Sequence, residues 1–397
     1  MKTSIHPLPV PDRWCVLGYY TLNPYAPDGS DRLLAAGVDL ATQQVEVLVL
    51  SSQGRVLDRF PGSPVFPSVW HTGLWQSWSP DAKYVYFQRG SLEKMTIVRR
   101  ELSSGLEQVV EGDLEGMPAT GEPGVSCYHG MLYAAGYGDG IYKPHESPVP
   151  FQAREQHGLS LLRFDPPECR LQLSTAEILD MHPDRDRLKA ADREVRDRLG
   201  ASEGLTLMTY CVRWNPQGTR FLFYFGNHSV VKERGEPRLA YVFTSDRNLK
   251  DVRMVLDLCR TGVHWGWQAD GDHLIGYGPR LDDPSLRCLA EVAYDGSGYR
   301  KLSDHQSGGH PTVCPTDHDL LVTDEGAPGG GAVVFISRRS GLEIGKVKLP
   351  KFIGETEPPG RNELRICHHP VFHPSGRKLL VNTMPGPMST LAEITLD

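Results

Sequence analysis

The chain has 397 residues, 39% hydrophobic and 23% charged, and a net charge of −7; no Lys/Arg run is long enough to track a phosphate backbone, which argues against nucleic acid as a partner. No stretch approaches the roughly 18 apolar residues of a membrane span, and residues 1–11 lack the apolar run of about 7–15 residues that a secretory signal needs. A cytoplasmic protein with no membrane partner is therefore expected, or a secreted one if a leader has been removed.

In chain order, short strands alternate with Gly, Asp, Asn and Pro turns. Strands are expected over 44–50, 54–57, 84–87, 158–164, 170–173, 220–225, 273–277, 319–323, 332–336, 343–347, 378–381 and 391–396. Five of these follow turns of one kind: Ser79-Pro80-Asp81, Asn215-Pro216-Gln217-Gly218, Gln268-Ala269-Asp270-Gly271, Cys314-Pro315-Thr316-Asp317 and His373-Pro374-Ser375-Gly376. Each reads as the second strand of a hairpin. The turn positions Pro216, Ala269, Pro315 and Pro374 are 53, 46 and 59 residues apart, near the roughly 40–50 of propeller blades with loop insertions.

Seven units result, at about 13–60, 71–115, 125–180, 207–258, 262–303, 308–350 and 366–397. The last offers three strands, so the segment before Pro11 is expected to supply a fourth and close the ring, removing free sheet edges. The expected fold is all-β: one seven-bladed β-propeller domain over 1–397. Within it, 183–200 keeps Leu188, Ala191, Val195 and Leu199 at helical spacing with Gly200 to end the run. This reads as a short solvated helix inserted between blades. The eight cysteines, at 15, 127, 169, 211, 259, 288, 314 and 367, form no CxxC pair and suit reduced thiols.

Three of the repeated turns carry a histidine five residues before the proline position: His264, His310 and His369. Equal offsets from equivalent turns mean equivalent places in successive blades, and in a ring such places converge on the central channel. Cys367 lies two residues before His369, so strand alternation puts both on one side. Three imidazoles and a thiolate make a tetrahedral donor set of the kind zinc takes, with manganese or calcium as alternatives. His368 and Cys314 stand as substitutes. The competing reading makes each histidine a hydrogen-bonded core residue.

A second group is expected in the other half of the ring. His129 starts the inner strand of the third unit, Arg213 lies inside that of the fourth, and His228 follows a second strand that returns the chain to the same face. The loop 136–145 adds Tyr137, Tyr142 and His145. An arginine with neutral imidazoles suits a carboxylate ligand and removal of a proton from the carbon beside it. No G-x-S-x-G elbow, P-loop, dinucleotide fingerprint or Trp-Asp dipeptide is present.

With histidines leading into these proline turns, the chain resembles the seven-bladed propeller polysaccharide lyases, the oligogalacturonate and ulvan lyases. The likeness is most specific at His310 and at Cys367-His368-His369, and the stretch 19–29 is similar to the first blade of the ulvan-type enzymes. The resemblance implies a metal held at His310 and His369, with Cys367 in the place of another ligand. It further implies that Arg213 neutralises a uronate and that His129 is an active-site histidine. The ulvan-type tyrosine acid/base has no counterpart between Tyr142 and Tyr210, which leaves His228 or Tyr137 for that role. An acidic oligosaccharide or polysaccharide would be cleaved by β-elimination. The alternative is a non-catalytic propeller that binds a glycan or protein around a structural metal. Sugar identity, cleavage mode and oligomeric state are not encoded in these features.

Overall fold

A computed structural model describes residues 2–10, 12–65, 69–90, 95–127, 149–227, 234–259, 261–327, 330–350 and 366–397. Seven antiparallel sheets follow one another along the chain. The N-terminal strand β1 (Thr3–Leu8) belongs to the last of them. The first blade holds β2 (Trp14–Val16), β3 (Leu33–Asp39), β4 (Gln44–Leu50) and β5 (Val56–Pro64). After the short helix α1 (Val69–Thr72), the second blade holds β6 (Ser77–Trp78), β7 (Tyr84–Gly90), β8 (Met95–Glu101) and β9 (Glu107–Glu111).

In the third blade, three strands fall among the described residues: β10 (Gly124–Ser126), β11 (Gly158–Phe164) and β12 (Pro167–Ser174). Two helices come next, α2 (Thr175–Met181) and α3 (Arg185–Leu199). The fourth blade holds β13 (Met208–Trp214), β14 (Arg220–Gly226), β15 (Ala240–Asp246) and β16 (Arg253–Asp257). The fifth holds β17 (Val263–Trp267), β18 (His273–Pro279), β19 (Arg287–Ala293) and β20 (Arg300–Ser303). The sixth holds β21 (Thr312–Val313), β22 (Leu320–Ala327), β23 (Gly330–Ser337) and β24 (Glu343–Leu349). The seventh holds β25 (Val371–Phe372), β26 (Lys378–Thr383) and β27 (Thr390–Leu396).

The protein is thus a seven-bladed β-propeller, closed as expected: β1 pairs antiparallel with β27 from Thr3 opposite Leu396 to Leu8 opposite Leu391. Leu8 and Leu391 then bury against Cys15, Leu17 and Leu380, where the last blade meets the first. Two further bonds cross this seam, from Cys15 N–H to the Ser389 carbonyl (3.0 Å) and from Leu17 N–H to Asn382 Oδ1 (2.9 Å).

Because each blade is packed between two others, its middle strands are apolar on both faces. In β14, Phe221, Phe223 and Phe225 enter one core cluster and Leu222 and Tyr224 another. A strand buried on both faces reads as a continuous apolar run, which is how 220–225 stood out.

The repeated turns are equivalent in detail. The N–H before each proline position bonds to the carbonyl opening the next strand: Ser79 to Tyr84, Asn215 to Arg220, Gln268 to His273, Cys314 to Leu320 and His373 to Lys378, all at 2.8–2.9 Å. Ala26 to Arg32 adds a sixth turn, in the first blade. Gly218, Gly271 and Gly376 have φ of 62°, 76° and 70°, and Ala82 at the same place has 54°, so the turn needs a left-handed residue that glycine supplies cheaply.

The helical insertion differs from expectation in extent and in packing. The helix expected over 183–200 is α3, preceded by the unexpected α2. Ser174 and Glu177 form a capping box that starts α2 just after β12. Nor is α3 merely solvated. Leu188 and Val195 enter the core cluster with Phe221 and Phe223, and Asp192 pairs with Arg154 and accepts a 2.7 Å bond from Leu205 N–H. Among the described residues, no helix is long and apolar enough to cross a membrane.

Candidate metal and anion site in the central channel

The inner strands begin with a shared distortion. Trp75, Cys211, His264 and His369, each five residues before its proline position, have φ of 55°, 59°, 57° and 46°. Registers slip between Tyr210 and Arg213 and between Val263 and Gly266. These are β-bulges, which re-aim side chains out of simple alternation. At the bulges, N–H groups that leave the ladder find other partners: Trp265 N–H bonds the Tyr224 hydroxyl (2.9 Å), and His368 and His369 N–H bond Asp324 Oδ2 (3.0 and 3.2 Å).

The histidines do converge. The His264 and His310 rings are 4.2 Å apart between centroids, and His310 and His369 are also 4.2 Å apart. The donor atoms that lie within 4.8 Å of one another, however, belong to His71, His310, Cys367 and His369. His71 on α1 therefore stands where His264 was expected. The His264 Nδ1 faces the carbonyls of Gly308 (2.8 Å) and Gly309 (3.1 Å). Two carbonyl acceptors fix the proton on Nδ1 and leave Nε2 as the remaining donor atom of the ring, which is not among the four that lie within 4.8 Å of one another.

His71 was missed because it lies in an irregular connection, to which the strand-offset rule does not apply. Cys367 and His369 come together as expected, although both precede β25 and His369 has a left-handed φ, so strand alternation is not what joins them. His368 turns away, its Nδ1 2.8 Å from the Asn382 carbonyl. Cys314 is buried within the sixth and seventh blades, its sulfur 3.7 Å from the Gly376 carbonyl.

The four-donor set has the chemistry of a cation site. His310 Nε2 and both ring nitrogens of His369 are buried without a hydrogen-bond partner, a cost that a bound ion removes. Burial, reinforced by His310 and then His71, holds the His369 pKa well below the usual imidazole value. Burial, with His310 and Arg213 nearby, does the same for His264. Both rings are neutral at pH 7, as metal ligation requires.

Beside the imidazoles lies a group that only the fold brings there. Tyr19 and Tyr20 stand between the histidines and Arg213: the Tyr19 ring is 5.0 Å from His369 and the Tyr20 ring 4.9 Å from His310. Arg213 Nη1 donates to the Tyr20 hydroxyl (3.1 Å) and to the Trp265 carbonyl, and Nη2 to the Tyr19 hydroxyl (3.4 Å). The guanidinium also lies 4.9 Å from the Tyr19 ring centre and 5.3 Å from that of Tyr224. Burial raises the Tyr20 pKa and pushes that of Tyr224 up to about 12, so both remain phenols.

Arg213 is 2% exposed, its Nε has no partner, and among the described residues no carboxylate forms an ion pair with it. Glu115, which is coupled to it by charge, is itself buried, and burial with Asp113 alongside pushes its pKa up to about 8. His129, Tyr137, His145 and His228 lie outside the described residues.

No protein-family model matches the chain, and no curated protein matches it. Its structure is similar to an oligogalacturonate lyase in complex with manganese, at 14% identity over 99% of this chain and 93% of that one, with a TM-score of 0.63. The oligogalacturonate lyase of Vibrio parahaemolyticus gives 13% identity, the same coverage and a TM-score of 0.62. Hydrazine synthase of Kuenenia stuttgartiensis gives 10% identity over 96% of this chain and 95% of that one, with a TM-score of 0.50. At such identities the likeness establishes the propeller fold. The resemblance first read from the turns is matched at that level.

Proposed function

We propose that this propeller is a carbon–oxygen lyase that cleaves an acidic, uronate-containing oligosaccharide or polysaccharide by β-elimination, with a divalent metal in the channel. The observation that carries the reading is Arg213, a buried guanidinium with no carboxylate partner among the described residues, set beside a cluster of neutral imidazoles. A buried charge without a counter-charge is costly, and a planar carboxylate entering the channel offers the bidentate match that guanidinium favours. The neighbours of similar fold named as oligogalacturonate lyases support the substrate class.

Arg213 would pair with the uronate carboxylate and stabilise the charge that develops there as the adjacent C–H is broken. A neutral imidazole would take that proton; His129 and His228 are proposed for this step, together with His264, whose Nε2 carries the lone pair when the proton is on Nδ1. A phenol would protonate the leaving oxygen: Tyr137 is one proposal, and Tyr20, held as a phenol against Arg213, another. His145 is proposed to line the same site. A divalent ion at His71, His310, Cys367 and His369 would supply further positive charge toward an anionic ligand. Three imidazoles and a thiol suit zinc, while calcium prefers oxygen donors; the manganese in the similar lyase keeps that ion in the panel.

Oligogalacturonate, ulvan and glycosaminoglycan oligomers should be tested for the ultraviolet absorbance of a conjugated, unsaturated uronate product. Turnover of at least one is expected. Arg213→Ala should lower it by roughly 100-fold or more while circular dichroism and metal content stay unchanged. No product across the panel would favour the second reading, a glycan- or protein-binding propeller with a structural metal.

A further inference from the structure

Asp324, on β22, is 4% exposed and sits behind the four-donor set. Its Oδ1 accepts the His310 main-chain N–H at 2.7 Å and lies 2.9 Å from His310 Nδ1. Its Oδ2 accepts the N–H groups of His368 and His369 at 3.0 and 3.2 Å. One carboxylate thus holds the backbone of two neighbouring blades at the two places where ligand histidines leave it. An ionised carboxylate only accepts, so the proton of His310 is on Nδ1 and the lone pair on Nε2, the atom that is buried without a partner. Among the described residues no Lys or Arg pairs with Asp324; the side chain it faces is His310.

From this geometry we infer that Asp324 is the positioning residue of the metal site. It fixes the ligating tautomer of His310, sets the backbone that presents His369, and with a Cys367 thiolate supplies two negative charges that balance a divalent cation. The inference rests on the reading that His71, His310, Cys367 and His369 hold a metal. Ligand histidines generally depend on such partners, whose removal weakens metal binding about 10–100-fold.

The test uses the full chain, stripped with a chelator and titrated with zinc and with manganese against a chromophoric competitor. Asp324→Asn keeps the size and one acceptor oxygen but removes the charge. It should lower affinity about 10–100-fold while near-ultraviolet circular dichroism of the metal-free protein is unchanged. Equal affinity in Asp324→Asn and wild type overturns the positioning role and leaves the metal reading standing; binding of neither ion by wild type overturns both. Should the variant not fold, nitrogen-15 NMR of histidine-labelled, metal-free wild type decides. A His310 ring protonated at Nδ1 is expected, and one protonated at Nε2 alone overturns the assignment.

Discussion

Glu115 is the residue whose titration should be visible from outside. It is 3% exposed and lies beside the N–H groups of Cys211 and Val212, at the bulge that leads to Arg213. Burial first, and Asp113 second, raise its pKa to about 8. A carboxyl whose folded pKa lies above its unfolded value stabilises the fold fully below the unfolded value and loses that contribution as pH rises through the folded one. Wild-type stability should therefore fall, by up to about 1.4 kcal/mol per pH unit from this group, between pH 5 and pH 8. Glu115→Gln should remove that slope, so its thermal midpoint gains on wild type as pH rises; parallel pH profiles for the two proteins would contradict the assignment.

At the scale of elements, the sensitive one is β1, whose six residue pairs with β27 tie the start of the chain to the last blade and help close the ring. Leu8→Ala removes a buried side chain from the seam and should cost about 2–5 kcal/mol in denaturant unfolding. Deleting residues 1–9 should do more: β27 becomes a free edge, and edges of this kind pair between molecules. Light scattering should detect association in the truncated protein, and a monodisperse protein with the wild-type thermal midpoint would refute the seam's importance. Helix α3 carries a related lesson. Its spacing was readable, but whether Leu188 and Val195 faced water or the fourth blade depended on Phe221 and Phe223, more than twenty residues away in sequence.

For the whole molecule, the four metal-capable donors lie on the connection from the first blade to the second, at the start of the sixth blade, and at the entry to the seventh. An ion there spans the closure seam from inside, as β1 spans it from outside. Zinc or manganese at about 100 times its dissociation constant should stabilise the fold by about 2.7 kcal/mol, and a chelator should reverse the gain. Calorimetry with and without metal checks this; an unchanged midpoint would mean that the channel holds no ion.

The sequence by itself determined the architecture, because repetition is local information. The five repeated turns and their spacing set the blade repeat, the apolar runs such as 220–225 set the strands, and the shared offset of His264, His310 and His369 implied their convergence. It could not choose among the converged groups. The left-handed residues Cys211, His264 and His369 break the alternation on which side-chain direction was inferred, and the carbonyls of Gly308 and Gly309 engage Nδ1 of His264 beside the donor set. His71 and Asp324 obey no offset, and Tyr19 and Tyr20 stood out only as part of a family-like stretch, with nothing to place them in the channel. They meet the histidines only because the ring closes, so their roles were decided by contacts between residues up to 350 positions apart, as Tyr19 and His369 are.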